Sequence, residues 1–390
     1  MSKERERVRK QAIARYQRGE SASGIWRSLG QSEAWFFRWL SRHRSGRPDW
    51  YVEQSRSARS NPRWTTAALE EQVKFVRLEL YNQGVFCGAQ AIRWRLEELA
   101  VEPIPSLSTI GRILVRHDLT DRRTGRYEPK GVYYPRVEVQ QANDVHQSDF
   151  VGPCFLKGGL RFYSFHSVDL ATGRCAVEPV TAGKEESMTA LWAIWHRLGL
   201  PRYQQVDNEM TFYGSPTHPR GMGKLIRMCL HYGVEPIFIP VKEPWRNGVV
   251  EKFNDHWRQK FLGREELKSA AALRKGSLNF EALHNARYRY SKLGGKTPLE
   301  SLAASEVPLR FPPCQPSPVQ PLPKPLKGKY HVIRFIRSNR RLDLFGELFS
   351  LPTVAIHEYV WSTIDVRKQR LSFYLGDELL DERGLPATIG

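Results

Sequence analysis

Cysteine is scarce in this chain of 390 residues, and its five copies (Cys87, Cys154, Cys175, Cys229, Cys314) form no Cys-x-x-Cys pair. That spacing argues against a disulfide framework and against a zinc knuckle, and reduced thiols in a cytoplasmic setting are expected. No apolar run approaches the ~18 residues of a membrane span, so no membrane partner is expected. The start, Met1-Ser-Lys-Glu-Arg-Glu-Arg, is too charged for a signal peptide and lacks an apolar stretch, so the protein is expected to stay where it is made. No repeat of solenoid period is present. Acid is also short: 41 Asp and Glu stand against 60 Lys and Arg, a formal net charge of +19. A field of that sign attracts polyanions, nucleic acid first.

Hydrophobic content of 41% and charged content of 26% are ordinary for globular protein, and the length allows several domains. Residues 1–48 read as three short helices: Glu4 to Arg18, then Ala22 to Leu29 capped by Ser21, then a third capped by Ser32 and running through Trp35, Phe36, Trp39 and Leu40. The short Gly-containing turn between the last two suggests a helix-turn-helix, with Arg38, Arg42 and Arg44 on or just beyond the recognition helix. A generic bundle with a solvated basic face is the plainer alternative. Residues 49–64 read as a linker.

Residues 65–120 read as a second helix-turn-helix. Apolar positions recur at Leu69, Val73, Val76 and Leu80, then at Ala91, Trp94, Leu96 and Leu99. A Ser-capped amphipathic helix follows, with Ile110, Ile113 and Leu114 inward and Arg112 and Arg116 outward. A basic linker covers 121–143. The largest unit, 144–303, places strand-like runs before helices. Residues 304–327 hold eight prolines and read as an extended spacer. The segment 328–390 alternates in β fashion, with runs at 342–348, 359–366 and 371–375, and fits a small antiparallel barrel. Its basic turn around Arg337, Arg340 and Arg341 is equally a solvated turn or a DNA-backbone contact.

Three acids sit in distinct settings. Asp149 lies in the β-like run Val145-His-Gln-Ser-Asp-Phe150, Asp207 ends the strand-like Tyr203-Gln-Gln-Val-Asp207, and Glu251 lies near the start of a helix. On that helix Asn247, Glu251, Asn254 and Arg258 recur at i, i+4, i+7 and i+11, one face, beside an apolar face of Val250, Phe253, Trp257 and Phe261. Phosphodiester cleavage needs an activated nucleophile, charge neutralisation at phosphorus and a stabilised leaving oxygen. Two Mg²⁺ ions ~3.5–4 Å apart supply all three, and such hard cations want carboxylate oxygens. Other polar groups read as structural. Asp169 opens a hairpin turn and shapes it by side-chain to backbone hydrogen bonds. Glu178 and Glu243 have no comparable neighbours, and His146 and His231 are packed or solvated histidines.

These residues resemble the Asp-Asp-Glu core shared by retroviral integrases and bacterial insertion-sequence transposases. Asn247-Gly-Val-Val-Glu-Lys-Phe-Asn254 resembles the family's glutamate helix, the segments 131–149 and 161–180 its first strands, and Tyr288–Leu302 the stretch that follows the core. The resemblance implies a multidomain chain: N-terminal all-α helix-turn-helix units, a central α/β RNase H-like domain with a five-stranded mixed sheet, and a small C-terminal β-barrel like that of Mu transposase. It implies Asp149, Asp207 and Glu251 as catalytic metal ligands for two Mg²⁺ or Mn²⁺ ions. Gln147, Asn247, Asn254 and Arg258 would lie near DNA or the metals, and Lys242 and Arg246 would contact phosphates. The expected partners are double-stranded DNA, both element ends and target, and a second copy of the chain in at least a dimer; whether a separate ATPase selects the target stays open. The family often has Asp-Asn-Gly where this chain has Asp207-Asn208-Glu209. The interval from Asp207 to Glu251 is also longer than usual, the excess falling in a loop-like stretch at 212–221. The integrase zinc-binding N-terminus is absent. The rival readings are a transposase-derived DNA-binding regulator without catalysis, and a metal-dependent nuclease.

Overall fold

The computed structural model describes residues 2–53, 65–120, 133–181, 186–213, 221–313, 318, 322–344 and 346–385. The chain divides into two compact units, Met1–Trp64 and Thr65–Gly390.

In the first unit, α1 (Ser2–Gln17), α2 (Ala22–Ser28) and α3 (Glu33–Arg44) follow the expected boundaries closely. The Ser21 and Ser32 hydroxyls accept from Gly24 N–H and Trp35 N–H, each satisfying one orphan donor of a first turn. Ala12, Ile13, Ile25, Phe36 and Leu40 form the core. Residues 49–53 depart from the expected linker. Arg9 donates to the Tyr51 carbonyl at 2.8 Å and pairs with Glu53 at 2.6 Å, so this stretch packs on the bundle. A bundle this small gains from every group that covers its core. Residues 54–64 lie outside the described residues.

The second unit opens with α4 (Ala67–Asn82), α5 (Ala89–Glu98) and α6 (Leu107–Arg116). Leu69, Val73, Val76, Leu80, Ile110, Ile113 and Leu114 are buried as the periodicity predicts. On α5 the phase differs: Ile92 and Leu96 are buried while Leu99 is exposed. Trp94 is instead held by Gly295, where a Cβ would stand 2.9 Å from the indole and φ is +84°. The expectation of a free-standing second DNA-reading unit is corrected. Val73, Val76, Ile92, Leu96 and Ile113 belong to one apolar cluster with Val250, Phe253, Trp257 and Phe280 of the large domain. Three short helices bury too little apolar surface alone, and they complete their core on the large domain.

The remaining elements are β1 (Val145–Phe155), β2 (Arg161–Asp169), β3 (Cys175–Val180), α7 (Ser187–Leu198), β4 (Tyr203–Val206), α8 (Met210–Tyr213), α9 (Lys224–His231) and β5 (Glu235–Phe238). After them come α10 (Gly248–Trp257), α11 (Ala270–Arg287), α12 (Pro298–Ala303), β6 (Lys329–Phe335), β7 (Arg341–Leu344), β8 (Glu347–Ser350), β9 (Tyr359–Asp365), β10 (Arg370–Leu375) and β11 (Glu378–Gly384). Strands β3-β2-β1 are antiparallel, and β1-β4-β5 are parallel. That is a five-stranded mixed sheet with α7 and α9 contributing to one apolar cluster and α10 and α11 to another. Asp169 shapes its hairpin as expected, accepting from Ala171 N–H and Thr172 N–H at 3.2 and 3.3 Å.

The C-terminal region differs from the expected separate barrel. β6 pairs in parallel with β5 (Ile237 opposite His331, Phe238 opposite Val332), so the sheet runs on as β3-β2-β1-β4-β5-β6-β9-β10-β11. The 342–348 run is a hairpin, β7 with β8, rather than one strand. The backbone groups of β5 that would face solvent at an open edge are satisfied by β6. One core runs under both parts, from Trp195 and Phe238 to Val332, Val360 and Phe373. The proline-rich stretch is accordingly no free spacer: the Arg310 carbonyl accepts from Leu200 N–H at 2.7 Å, and Leu322 is buried.

Candidate active site

β1 and β4 run side by side, with Gln147 opposite Gln205. Two residues beyond that pair stand Asp149, within β1, and Asp207, just past β4, so the parallel register carries both acids to the place where the β1–β4 pairing stops. Three side-chain amides then fix the start of α10 beside that place. Gln147 Oε1 accepts from Val249 and Val250 N–H at 3.1 and 3.3 Å, satisfying donors that a helix start leaves unpaired. Gln205 Nε2 donates to the Arg246 carbonyl at 3.0 Å and to Asn247 Oδ1 at 3.2 Å. Asn247 Nδ2 donates to the Ser148 carbonyl at 2.9 Å. Glu251, in the first turn of α10, is therefore held where its charge reaches Asp149.

One turn on, Asn254 Nδ2 donates to Asp149 Oδ2 at 2.8 Å. Its Oδ1 accepts from His166 Nδ1 at 2.7 Å, and His166 Nε2 accepts from the Ser164 hydroxyl at 2.8 Å. His166 sits on β2 directly opposite Asp149 in the ladder. Burial drives its pKa down to about 3, so it is neutral. The single ring proton is assigned to Nδ1 because Asn254 must turn its NH₂ group toward the carboxylate.

The three acids feel one another. Burial, then the charge of Asp207, then that of Glu251 push the Asp149 carboxyl up to about 7, against the hydrogen bonds of Phe150 and Asn254. The coupling is uneven: Glu251 is raised mainly by burial and by Asp255. Of the two neighbouring charges, that of Asp207 acts more strongly on Asp149 than that of Glu251 does. Asp207 also accepts from Glu209 N–H at 3.2 Å. Among the described residues no three His, Cys, Asp or Glu side chains form a closed metal cluster. The donor set is nonetheless all carboxylate oxygen, with a mutual repulsion that a divalent cation would relieve.

The expected DNA contacts divide. Arg38, Arg44, Arg112, Lys242 and Arg258 are exposed. Arg116 is exposed but paired with Glu70. Arg42 stacks on Trp39 at 4.6 Å and donates to the Val52 carbonyl at 3.3 Å, which holds the bundle's end. Gln147, Asn247 and Asn254 are all buried and bonded within the protein, Asn254 to Asp149 itself. Arg246 is bonded likewise. It pairs with Glu243 at 2.9 Å, donates to Tyr359 Oη at 2.8 Å and stacks over Tyr134 at 4.0 Å. Glu243, read as lacking comparable neighbours, thus has two. Glu178 is in the same position, paired with Arg197 at 3.0 Å and Arg274 at 2.8 Å.

Sequence reading passed over His166, Gln205, Asn208, Arg334 and Tyr359. One signal was present for the first: Ser164-Phe-His-Ser167 is polar at alternate positions in a strand that is otherwise buried. The 212–221 stretch was read as a loop, but Phe212 is in α8, fully buried and stacked on Phe150 at 5.7 Å. Residues 214–220 lie outside the described residues.

Comparison with known proteins gives one family: residues 232–298 match the integrase core domain. No curated protein matches the chain. Among solved structures, the HTLV-2 integrase catalytic core domain in complex with magnesium (dimeric form) is 18% identical, covering 42% of this chain and 97% of that one, at a TM-score of 0.31. The simian T-cell lymphotropic virus intasome in complex with PP2A regulatory subunit B56 gamma is 12% identical, covering 81% and 96%, at 0.38. These are distant likenesses. Residues 232–298 of this chain, the stretch that holds Asn247, Glu251 and Asn254, therefore carry integrase core sequence.

Proposed function

We propose that the chain is a DDE-type DNA transposase: it binds the ends of a mobile element, hydrolyses the 3′ strands and transfers the 3′-hydroxyls into target DNA. The observation that supports this reading is that Asp149, within β1, feels the charges of both Asp207 and Glu251, which add to burial in pushing its carboxyl up to about 7. Asp149, Asp207 and Glu251 would hold two Mg²⁺ or Mn²⁺ ions. Bound there, such ions activate the attacking water or hydroxyl and stabilise the leaving oxygen.

The chain's own residues do the rest by position. Asn254 occupies Asp149 Oδ2, which fixes the rotation of the carboxyl. Gln147, Gln205 and Asn247 lock α10 so that Glu251 faces the two aspartates. Exposed Lys242 and Arg258 flank the acids in sequence and on the helix, placed to neutralise DNA phosphates. Arg38 and Arg44 on α3 are proposed to read or clamp the element end, with Arg112 on α6 adding a backbone contact. Two ends must be joined in one event, so the working form is at least a dimer on DNA, and a target-selecting ATPase is a compatible partner.

The test is strand transfer in Mg²⁺ or Mn²⁺ on labelled duplex from the gene's own flanks, wild type beside Asp207→Asn. Joined product from wild type alone is expected. Equal joining by Asp207→Asn would remove that residue from the site. DNA binding with no cleavage by either protein would favour a DNA-binding regulator instead.

A further inference from the structure

The two backbone segments that present Asp207 and Glu251 are each gripped by a side chain from the strands added beyond β5. Arg334, on β6, is buried (8% exposed). Its guanidinium donates to the Ile239 carbonyl at 3.1 Å, the Asp343 carbonyl at 3.2 Å and Asn208 Oδ1 at 2.8 Å. Asn208 in turn donates to the Ile239 carbonyl, so the residue next to Asp207 is clamped at both ends of its amide. Tyr359, on β9, donates to Glu243 at 2.8 Å and accepts from Arg246 Nη2 at 2.8 Å. The Arg246 carbonyl is the one that Gln205 holds, one residue before Asn247 and the start of α10.

Burying a guanidinium among carbonyl and amide oxygens is an expensive way to stabilise a sheet, and an apolar side chain would pack there at less cost. What the fork provides is direction: several donors in one plane, fixing several backbone segments at once.

We propose that the C-terminal strands are part of the active-site scaffold, with Arg334 acting through Asn208 on Asp207 and Tyr359 acting through Glu243 and Arg246 on the turn that carries Glu251. Both are positioning residues. The inference rests on the transposase reading for its reaction, but not for its metal-site geometry. It means that the C-terminal strands cannot be removed as a detachable module without losing the metal site.

The experiment uses the full chain and two readouts: Mn²⁺ binding by calorimetry without DNA, and the kcat and KM of strand transfer. Arg334→Lys keeps the charge and loses the fork. It is expected to weaken Mn²⁺ binding by about 10-fold and to lower kcat by about 10–100-fold, as loss of a ligand's supporting hydrogen bond does, with KM for DNA unchanged. Asn208→Ala leaves Arg334 its carbonyl bonds and should give the same losses. The double variant should be no worse than either, because both lie on one path. Tyr359→Phe should give a smaller loss of the same kind. Wild-type Mn²⁺ affinity and kcat in both Arg334→Lys and Asn208→Ala would overturn the proposal. If Arg334→Lys fails to fold, Asn208→Ala decides alone. A wild type that binds Mn²⁺ through Asp207 yet joins no DNA sinks the transposase reading and leaves the bracket to the Mn²⁺ titration. A wild type that binds no Mn²⁺ sinks both.

Discussion

His166 and His284 are both fully buried, both driven by burial to a pKa of about 3, and both tie a helix to the antiparallel half of the sheet. His284, on α11, lies 3.2 Å from Cys175 Sγ on β3 and 2.7 Å from Tyr290 Oη. Its neighbour Asn285 bonds both the N–H and the carbonyl of Cys175, each at 2.9 Å. That network closes on neutral groups. The His166 network has the same parts, a neutral ring and a helix asparagine, but ends on the Asp149 carboxylate at the rim of the sheet. A neutral buried histidine is thus a staple in both places. What differs is the end of the chain of bonds: in one it is a neutral thiol and phenol, in the other the carboxyl of a proposed metal ligand.

The comparison breaks or sharpens on four measurements. The largest effect is expected for Asn254→Ala, which should lower strand transfer by about 100-fold, since it frees the carboxyl that it orients. Asn285→Ala, its counterpart, should leave activity per folded molecule unchanged. Equal losses of activity in the two would erase the distinction. Next, His284→Ala should destabilise the second unit by about 3 kcal/mol in denaturant titration, because it leaves a cavity and unpaired buried groups.

Third, Asp149→Asn should stabilise the metal-free protein. The Asp149 carboxyl titrates at about 7 in the fold against an ordinary 3.8, so its ionised form is disfavoured there. The penalty is absent below the ordinary value, grows as pH rises toward 7 and is full above it. The variant's gain should reach about 2–4 kcal/mol at pH 8 and shrink toward pH 4, as read by thermal unfolding. Saturating Mg²⁺ should reverse the order if the carboxylate is a ligand. Smallest is the acid limb. A histidine depressed from 6.5 to about 3 contributes stability that is full above 6.5 and is lost as pH falls toward 3. Each such ring should add about 1.4 kcal/mol per pH unit to the slope between pH 6 and 4. His166→Gln and His284→Gln should each flatten that slope by the same amount, whatever they do to activity.

Much of the fold was legible because its signals are local. Ser21, Ser32 and Ser106 bond N–H groups three residues away, and the burial of Val73, Val76, Ile113 and Leu114 repeats within a single helix. The helix α10 and its buried Val250, Phe253 and Trp257 were readable for the same reason. Errors collected where a decision depended on distant partners. Leu99 was given a core place that Ile92 takes, because the packing of α5 on α4 and α6 decides which of its faces is covered. Gln147, Asn247 and Asn254 read as free polar groups because nothing local shows that they bond one another's elements across about a hundred residues. Arg246 was assigned to phosphate for want of Tyr359, its partner far along the chain.

The sequence by itself determined the helices of the first unit, the alternation of the strands and the basic field. Each of these follows from side-chain chemistry or from contacts within a few residues. Only the tertiary structure decided that β6 closes the open edge of β5, that α4–α6 share a core with α10, and that Arg334 and Tyr359 hold the segments bearing Asp207 and Glu251. Those outcomes come from backbone groups that must find hydrogen bonds and apolar faces that must find cover, and the partners that supply them lie far away in the chain.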